Sequence, residues 1–446
     1  MLTLTEAAEQ IRIRRLSPLE LTRECLARIE SLDPGLNAFI TVTADLALEQ
    51  ARRAEAEIAA GNYRGPLHGI QIALKDLFDT AGMRTTAASN QYRERVPTED
   101  AEVVRRLKDA GAVILGKLNM HEFAFGMTGV ISAYGPTKNP WNLERISGGS
   151  SSGSGAAVAA GMCVAALGSD TSGSIRCPSA LCGIVGHRPS AGLISTRGIV
   201  PLSTSFDTAG PMTRTVCDAA ILIDILSGTT QYASLLSEDV SQLRVGVARR
   251  RFFDDLDPDV RKCNEAALAV LRKLVTQVRE VEVLTQGFRT IFDAEIYEYH
   301  EAMIQKSPEQ YDPRTLFRLS NCDGISATDY IRERRRLAVF RAEAEKVFEE
   351  VDVIVTPTTA VPAPKVAELE ALAVADVRPF EVKYLLRNTA PFSVLFWPTI
   401  SVPCGLTREG LPVSMQIAAR PGADSTVLRV AHAYEQATEW RKRVSG

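Results

Sequence analysis

Apolar residues recur along this chain in two rhythms, and the change from one to the other organises the reading of it. Near the start the spacing is helical. Ser17-Pro18-Leu19-Glu20 is a capping-box start with proline at the first helical position, and Leu21, Cys25, Ile29 and Leu32 then share one face. Asp33-Pro34-Gly35 is expected to stop that helix, and an alanine-rich helix is expected from about Ala44 to Ala59, ending at Gly61-Asn62. From residue 69 short apolar runs alternate with helical stretches. Gly69 to Leu74 reads as a strand leading into Lys75 and Asp76, Thr98 to Ala110 as an amphipathic helix with Val103, Val104 and Leu107 inward, and Ala112 to Leu115 as the next strand. Ala156 to Ala160 reads as a short helix, Cys163 to Leu167 as a buried strand, and Val216 to Leu226 as a helix. Such alternation signals an α/β sheet with covering helices.

The second half continues the pattern with longer polar intervals. Strands are expected at Leu243 to Ala248, Val278 to Leu284, Val351 to Val355 and Thr399 to Val402. Asp257-Pro258 caps a helix to about Leu274, residues 286–335 read as helical and polar, a helix over 328–349 leads into the Val351 strand, and a last helix runs from Ser425 to about Lys442. Residues 360–380, rich in Pro, Ala and Val, read as a surface excursion or lid, and Asn388 to Trp397 as a cover for the core.

Composition adds exclusions. The chain has 446 residues, 45% hydrophobic and 24% charged, which suits a globular protein with a substantial core. A net charge of −3 gives no long-range pull toward nucleic acid or an anionic membrane. The opening segment TLTEAAEQIRIRR lacks the apolar core of a signal peptide, and no run approaches the roughly 18 apolar residues of a membrane span, so a cytoplasmic protein is expected. Eight scattered cysteines form no CxxC pair, so buried thiols are expected rather than a metal site or disulfides.

Candidate chemistry concentrates between Ser147 and Arg176, in SGGSSSGSGAAVAAGMCVAALGSDTSGSIR. Glycines there let backbone approach a ligand closely, and the helix and strand between the two serine-rich clusters set two loops side by side. Lys75 closes an apolar strand, where it is either partly desolvated and usable as a general base or reaches out to solvent. Three other motifs fail on inspection. Gly111 to Lys117 has phosphate-loop spacing but a hydrophobic interior, with Leu118 where Ser or Thr should bind magnesium. His121-Glu122 begins like a metalloprotease helix, but Phe125 stands at the second ligand position. Gly149 to Gly153 matches a nucleophile elbow on Ser151, yet no strong strand precedes it, although His187, His300 and His432 lie downstream.

GGSSSGSGAAVAAG followed by GSDTSGSIR resembles the signature of the amidase signature superfamily of serine hydrolases. The likeness extends to GIQIALKDLFDTAG around Lys75, LGKLNMHEFAFG, YGPTKNPWN, LCGIVGHRPSAG, ISVPCG and GLPVSMQIAARP, and fades over roughly 230–335. The resemblance implies one large α/β/α domain over 1–446, with a central mixed β-sheet covered by helices on both faces, a catalytic core at 60–225 and a variable specificity region at 230–335. It further implies Ser174 as nucleophile, Ser150 after a cis Gly149–Ser150 bond as bridging serine, and Lys75 as base. Backbone N–H groups of Thr171, Ser172, Gly173 and Ser174 would form the oxyanion hole. Gly149, Ser151, Asp170 and Arg176 would support the site, the last two as a buried ion pair. The family often has glycine where this chain has Ser172. No cofactor and no metal are expected.

The activity implied is hydrolysis of a small carboxylic amide to acid and ammonia. The alternatives are the A subunit of a tRNA-dependent amidotransferase, hydrolysis of urea-like amides such as carboxybiuret or allophanate, and a serine-glycine anion-binding module without turnover. The expected partner is a small-molecule amide, with no direct nucleic acid and no membrane; a homodimer is compatible, and a partner subunit belongs only to the amidotransferase reading. Two departures bear on the choice: Phe392 to Pro398 replaces the small-residue turn of the amidotransferase subunits, and no arginine is clearly placed to clamp a glutamine carboxylate, Arg332, Arg334, Arg335 and Arg336 being nearest to the expected position.

Overall fold

In the computed structural model, which describes residues 2–373, 376–438 and 440, the expected alternation builds one eleven-stranded sheet and a separate short hairpin. The strands are β1 (Phe39–Val42), β2 (Gln71–Lys75), β3 (Val113–Leu118), β4 (Lys138–Asn139), β5 (Asn142–Ile146), β6 (Ala165–Asp170) and β7 (Val185–Arg188). They continue as β8 (Thr208–Thr213), β9 (Arg244–Val247), β10 (Gln277–Glu280), β11 (Val353–Pro357), β12 (Thr399–Leu406) and β13 (Pro412–Ala419). The order across the large sheet is β1-β3-β2-β6-β8-β7-β12-β13-β11-β9-β10, and β4 and β5 form the hairpin. Pairing is parallel in β3-β2-β6 and in β11-β9-β10, and antiparallel elsewhere.

The two-residue period of a strand sends its side chains to two covering layers. Ile72, Leu74, Ile114, Ala165 and Leu167 join a core with Val103, Val104, Leu107 and the helix Val216–Ser227. Ala73, Val113, Leu115 and Ala166 face the other way, against Cys25, Ile29, Ala47, Ala51 and the short helix Ser152–Ala159. Strands buried on both faces read as continuous apolar runs, which is why β2, β3 and β6 were legible.

Several boundaries differ from expectation. The helix opened at Pro18 runs through Asp33-Pro34-Gly35 to Leu36. Asn37 ends it in the left-handed conformation, and the Asp33 carboxylate accepts from the amides of Ala38 and Phe39, so the stop is built beyond the proline. The helix expected from Thr98 begins at Glu102, strand β10 stops at Glu280, and the helix over 328–349 is α-helical only for Ala327–Ala344. Residues 360–380 are no free excursion: Ala363, Val366, Leu369 and Val377 pack with Met127, Val130 and Ile131. The final helix is Asp424–Gln436; Lys442 lies outside the described residues. No helix among the described residues is long and apolar enough to cross a membrane.

Asn388 to Trp397 does cover the core. Phe392 stacks on Phe252 at 5.5 Å and Trp397 meets Phe348 edge-on at 4.6 Å, with Phe392 and Trp397 wholly buried in the larger core. Trp397→Ala should therefore lower stability by about 3–5 kcal/mol, measured by urea unfolding; a change below about 1 kcal/mol would show that this cover bears no load.

Candidate active site

Parallel strands β2 and β6 are neighbours, and each delivers a charged residue at its C-terminal end, Lys75 from one and Asp170 from the other. That edge of a parallel sheet is where loops converge on ligands. Lys75 is fully buried; its Nζ lies 2.6 Å from Ser150 Oγ and 2.8 Å from Ser169 Oγ. Burial pushes the amine down to about 7, against the opposing pull of the Asp207 and Asp170 carboxylates. Of the two readings open for a strand-end lysine, the structure has the desolvated one.

Ser150 reaches Lys75 from the first serine-rich loop, after a Gly149–Ser150 peptide bond that is cis. Gly149 is packed too closely for a side chain, since a Cβ there would stand 2.9 Å from Gly129 N and 3.0 Å from Met127 C. Ser151 starts the helix Ser152–Ala159, and its hydroxyl donates to Ser169 O at 3.3 Å. The Ser151 amide donates to Ser174 O at 3.3 Å, stitching the two loops together. Ser174 Oγ itself donates to Met127 Sδ at 3.6 Å. The Lys75–Ser150 contact is thus formed while the Ser174 hydroxyl is turned to the methionine.

The loop carrying Ser174 is held from behind. Thr171 Oγ1 donates to Asp207, Thr389 Oγ1 donates to Ser172 O at 2.7 Å, and the Ile175 amide donates to Asp170 Oδ2 at 3.2 Å. Gly173 has φ +141°, and a Cβ there would lie 2.2 Å from Thr389 Oγ1, so only glycine fits. Among the described residues the amides of Thr171, Ser172, Gly173 and Ser174 have no acceptor. Four unspent N–H groups in one turn suit a developing oxyanion.

Asp170 anchors this loop between two buried guanidiniums. Arg176 meets it through Nε at 3.0 Å and Nη2 at 3.1 Å, and Arg188 Nη1 lies 3.5 Å away. Burial raises the carboxyl, but the two arginines outweigh it and hold the group at about 2. Arg176 also donates to Thr389 O, Gln416 Oε1 and Ser393 Oγ, at 2.9, 3.2 and 2.7 Å. Beside this cluster Asp207 is pushed up to about 6 by burial, against the bond from Thr171 and the charge of Lys75.

Ser174, Thr171 and Ser172 line a cavity of about 280 Å³, with Phe125, Met127, Phe206, Phe288, Phe292 and Leu202 on its walls. The arginines on it are Arg251, Arg289, Arg318, Arg378 and Arg387, not the run at 332–336. Arg332 and Arg336 instead pair with Asp329 and Glu333 along their own helix, and Arg334 lies 3.8 Å from Glu295. Ser169 and Arg188 lie within GSDTSGSIR and LCGIVGHRPSAG without having been singled out there, and Met127, Asp207 and Thr389 lie outside the quoted motifs; Ser169 could have been found from its place one residue before Asp170 in a strand beside Lys75.

The three discarded motifs have other roles. Lys117 is buried with Asp76 at 3.8 Å, donates to Thr85 Oγ1 at 2.7 Å and to Phe78 O, and leaves no phosphate loop. His121 Nδ1 accepts from the Gly129 amide. His187 pairs with Asp424 and His300 with the Tyr311 hydroxyl, so neither serves Ser151. Seven of the eight cysteines are buried, and burial pushes the Cys177 thiol up to about 12. Among the described residues no group of three or more His, Cys, Asp or Glu converges as a metal site would need.

A large mixed sheet with helices over both faces, a buried lysine-serine contact and a turn of unspent amides define a hydrolase of the amidase type. The Amidase family model matches residues 20–428, and the chain belongs to that family. It is 37% identical over 486 residues to a glutamyl-tRNA(Gln) amidotransferase subunit from Geobacter metallireducens, covering 100% of this chain and 99% of that one. The native peptide amidase of Stenotrophomonas maltophilia matches at 31% identity and a TM-score of 0.85, covering 97% and 96% of the two chains. A 6-aminohexanoate cyclic dimer hydrolase, complexed with substrate, matches at 29% identity and a TM-score of 0.90 over 99% and 98%. The protein is an amide-bond hydrolase.

Asp170→Asn should cost about 3–5 kcal/mol in urea unfolding at neutral pH, because it leaves two buried guanidiniums without their counter-charge. Since the native carboxyl titrates below its unfolded value near 3.9, the wild-type contribution is present above pH about 4 and disappears as pH falls toward 2. A variant as stable as the wild type would show that Arg176 and Arg188 are neutralised by other means.

Proposed function

We propose that the protein hydrolyses a small carboxylic amide to acid and ammonia through an acyl-enzyme on Ser174, with Ser150 and Lys75 relaying the proton. The observation that carries this reading is the buried Lys75 amine, at about 7 and 2.6 Å from Ser150 Oγ. A serine hydroxyl attacks an amide carbonyl poorly unless its proton leaves as the bond forms. A χ1 rotation turns Ser174 Oγ from Met127 toward Ser150. The Ser174 oxygen then bonds to the amide carbon, its proton passes to Ser150 Oγ, and the Ser150 proton passes to neutral Lys75. The carbonyl oxygen gathers negative charge against the amides of residues 171–174. Returning along the same relay, the proton goes to the amide nitrogen as the C–N bond breaks, and ammonia leaves. Water repeats the sequence on the ester, and the acid departs.

The amidotransferase relatives support a second reading, in which the chain releases ammonia from glutamine for a partner chain. Phe392 to Pro398, where those subunits carry a small-residue turn, favours the stand-alone reading. Ammonia release from glutamine only on addition of a partner chain would reverse that preference.

Lys75→Ala and Ser174→Ala should each lower kcat by at least about 10³ with unfolding midpoints retained. A fluorophosphonate should add once to the wild type, on Ser174, and not to Ser174→Ala; an adduct on Ser151 would refute the assignment. Because the relay needs the uncharged amine, kcat/KM should rise with pH through an apparent midpoint near 7 and then level. A profile that falls over pH 6–8 would contradict the role given to Lys75.

A further inference from the structure

The Ser174 hydroxyl is spent on a sulfur while the other two groups of the site are already in contact. Ser174 Oγ donates to Met127 Sδ at 3.6 Å, whereas Lys75 Nζ and Ser150 Oγ stand 2.6 Å apart. The thioether is not free to leave by a shift of its loop. The Met127 amide donates to Glu381 Oε1 at 2.7 Å, Arg318 donates to Glu381 Oε2 at 2.9 Å, and Arg318 also donates to Phe125 O at 2.9 Å. On its other side Met127 Cε lies against the Ser174 loop, 3.2 Å from where a Cβ on Gly173 would stand. One methionine is thus clamped between the Ser174 hydroxyl and the turn of unspent amides.

A thioether is a weak acceptor, so a χ1 rotation of Ser174 breaks this hold. Oxidation changes the acceptor. When a peroxide meets a methionine, a sulfur lone pair attacks one peroxide oxygen, the S–O bond forms as the O–O bond breaks, and the departing hydroxide takes up a proton to leave as water. Sulfur is oxidised and the peroxide is reduced, with two electrons passing between them. Such a reaction needs access. Met120, Met162, Met212 and Met415 are wholly buried in the core, whereas Met127, at 3% exposure, lines the cavity of about 280 Å³. A cavity that admits an amide also admits a peroxide. We propose that Met127 is a peroxide-modified site, at which sulfoxide formation holds Ser174 away from Ser150 and stops the hydrolase until the sulfoxide is reduced. The new oxygen is a polar acceptor on the sulfur that already takes the Ser174 hydrogen, and the Glu381 clamp keeps it there. This rests on Ser174 as the nucleophile and adds a control on it.

The test exposes the wild type to millimolar hydrogen peroxide and follows oxygen uptake at each methionine by peptide mass, amide turnover, and labelling of Ser174 by a fluorophosphonate. Turnover and labelling should fall in step with oxidation of Met127, by at least about tenfold when it is complete, and not in step with Met303, which is half-buried on the helix Arg289–Lys306. Methionine sulfoxide reductases for both epimers should restore them, and dithiothreitol alone, which reverses sulfenic acids and disulfides, should not. That arm separates Met127 from the half-buried Cys217 and from Cys177, whose thiol burial keeps protonated. Met127→Leu, referred to its own untreated labelling, should lose less than about twofold at the same dose. The wild-type arms decide the matter even if that variant does not fold. No oxygen on Met127 at a dose that fully oxidises Met303, unchanged labelling with Met127 fully oxidised, or recovery in dithiothreitol alone overturns the proposal. Peptide mass and labelling need no turnover, so the absence of a cleavable amide leaves both readouts in place. An untreated protein that takes no label on Ser174 places the fault in the catalytic reading, and the proposed control falls with it.

Discussion

Everything at this site depends on keeping one lysine amine out of water. Lys75 reaches its place because β2 is buried along its whole length between two helical layers, so the residue that closes the strand arrives inside the protein. Desolvation then does what no side-chain substitution on the surface could: it brings an amine with an ordinary value near 10.4 into the range where it exchanges protons at neutral pH. Asp207 and Asp170 limit the effect, since a fully isolated amine would lose its affinity for the proton that it has to carry. The balance between burial and these two carboxylates sets the protonation of the amine on which the proposed relay depends.

The second constraint is the Asp170 cluster, which converts a mobile kind of sequence into a fixed one. A Ser-Gly-rich turn has little side-chain packing to hold it. Here its rigidity is borrowed from an ion cluster on the far side, where one carboxylate joins β6, Arg176 and Arg188, and Arg176 passes the connection to Thr389, Ser393 and Gln416. The turn can therefore leave its amides unspent without collapsing onto them.

Legibility in the sequence followed how much of each feature is local. β2, β3 and β6 were readable because apolar runs are contiguous, and the serine-glycine loops because glycine marks close backbone approach. What came from across the chain was not. Ser169 looks like any other serine of its stretch until β2 is laid beside β6. Arg188 sits in the LCGIVGHRPSAG stretch, where nothing local shows that it reaches Asp170. Arg378 lies in a Pro, Ala and Val-rich segment that reads as surface, whereas its apolar residues cover the Met127 loop. The arginines at 332–336 drew notice because they lie nearest to the position expected of a carboxylate clamp, yet two of them serve helix neighbours three residues away. The Asp33-Pro34-Gly35 stop failed because proline near a helix end loses little when later residues supply the cap.

The bonds from Arg176 to Thr389 and Gln416 span 213 and 240 residues. During synthesis Lys75, Ser150 and Ser174 all emerge long before the chain that braces them. The turn is locked only when Thr389 and β13 arrive, and β13 enters the middle of the sheet between β12 and β11. Order at the site is thus tied to completion: a nascent or truncated chain carries Lys75, Ser150 and Ser174 and lacks the partners that Arg176 finds in Thr389 and Gln416.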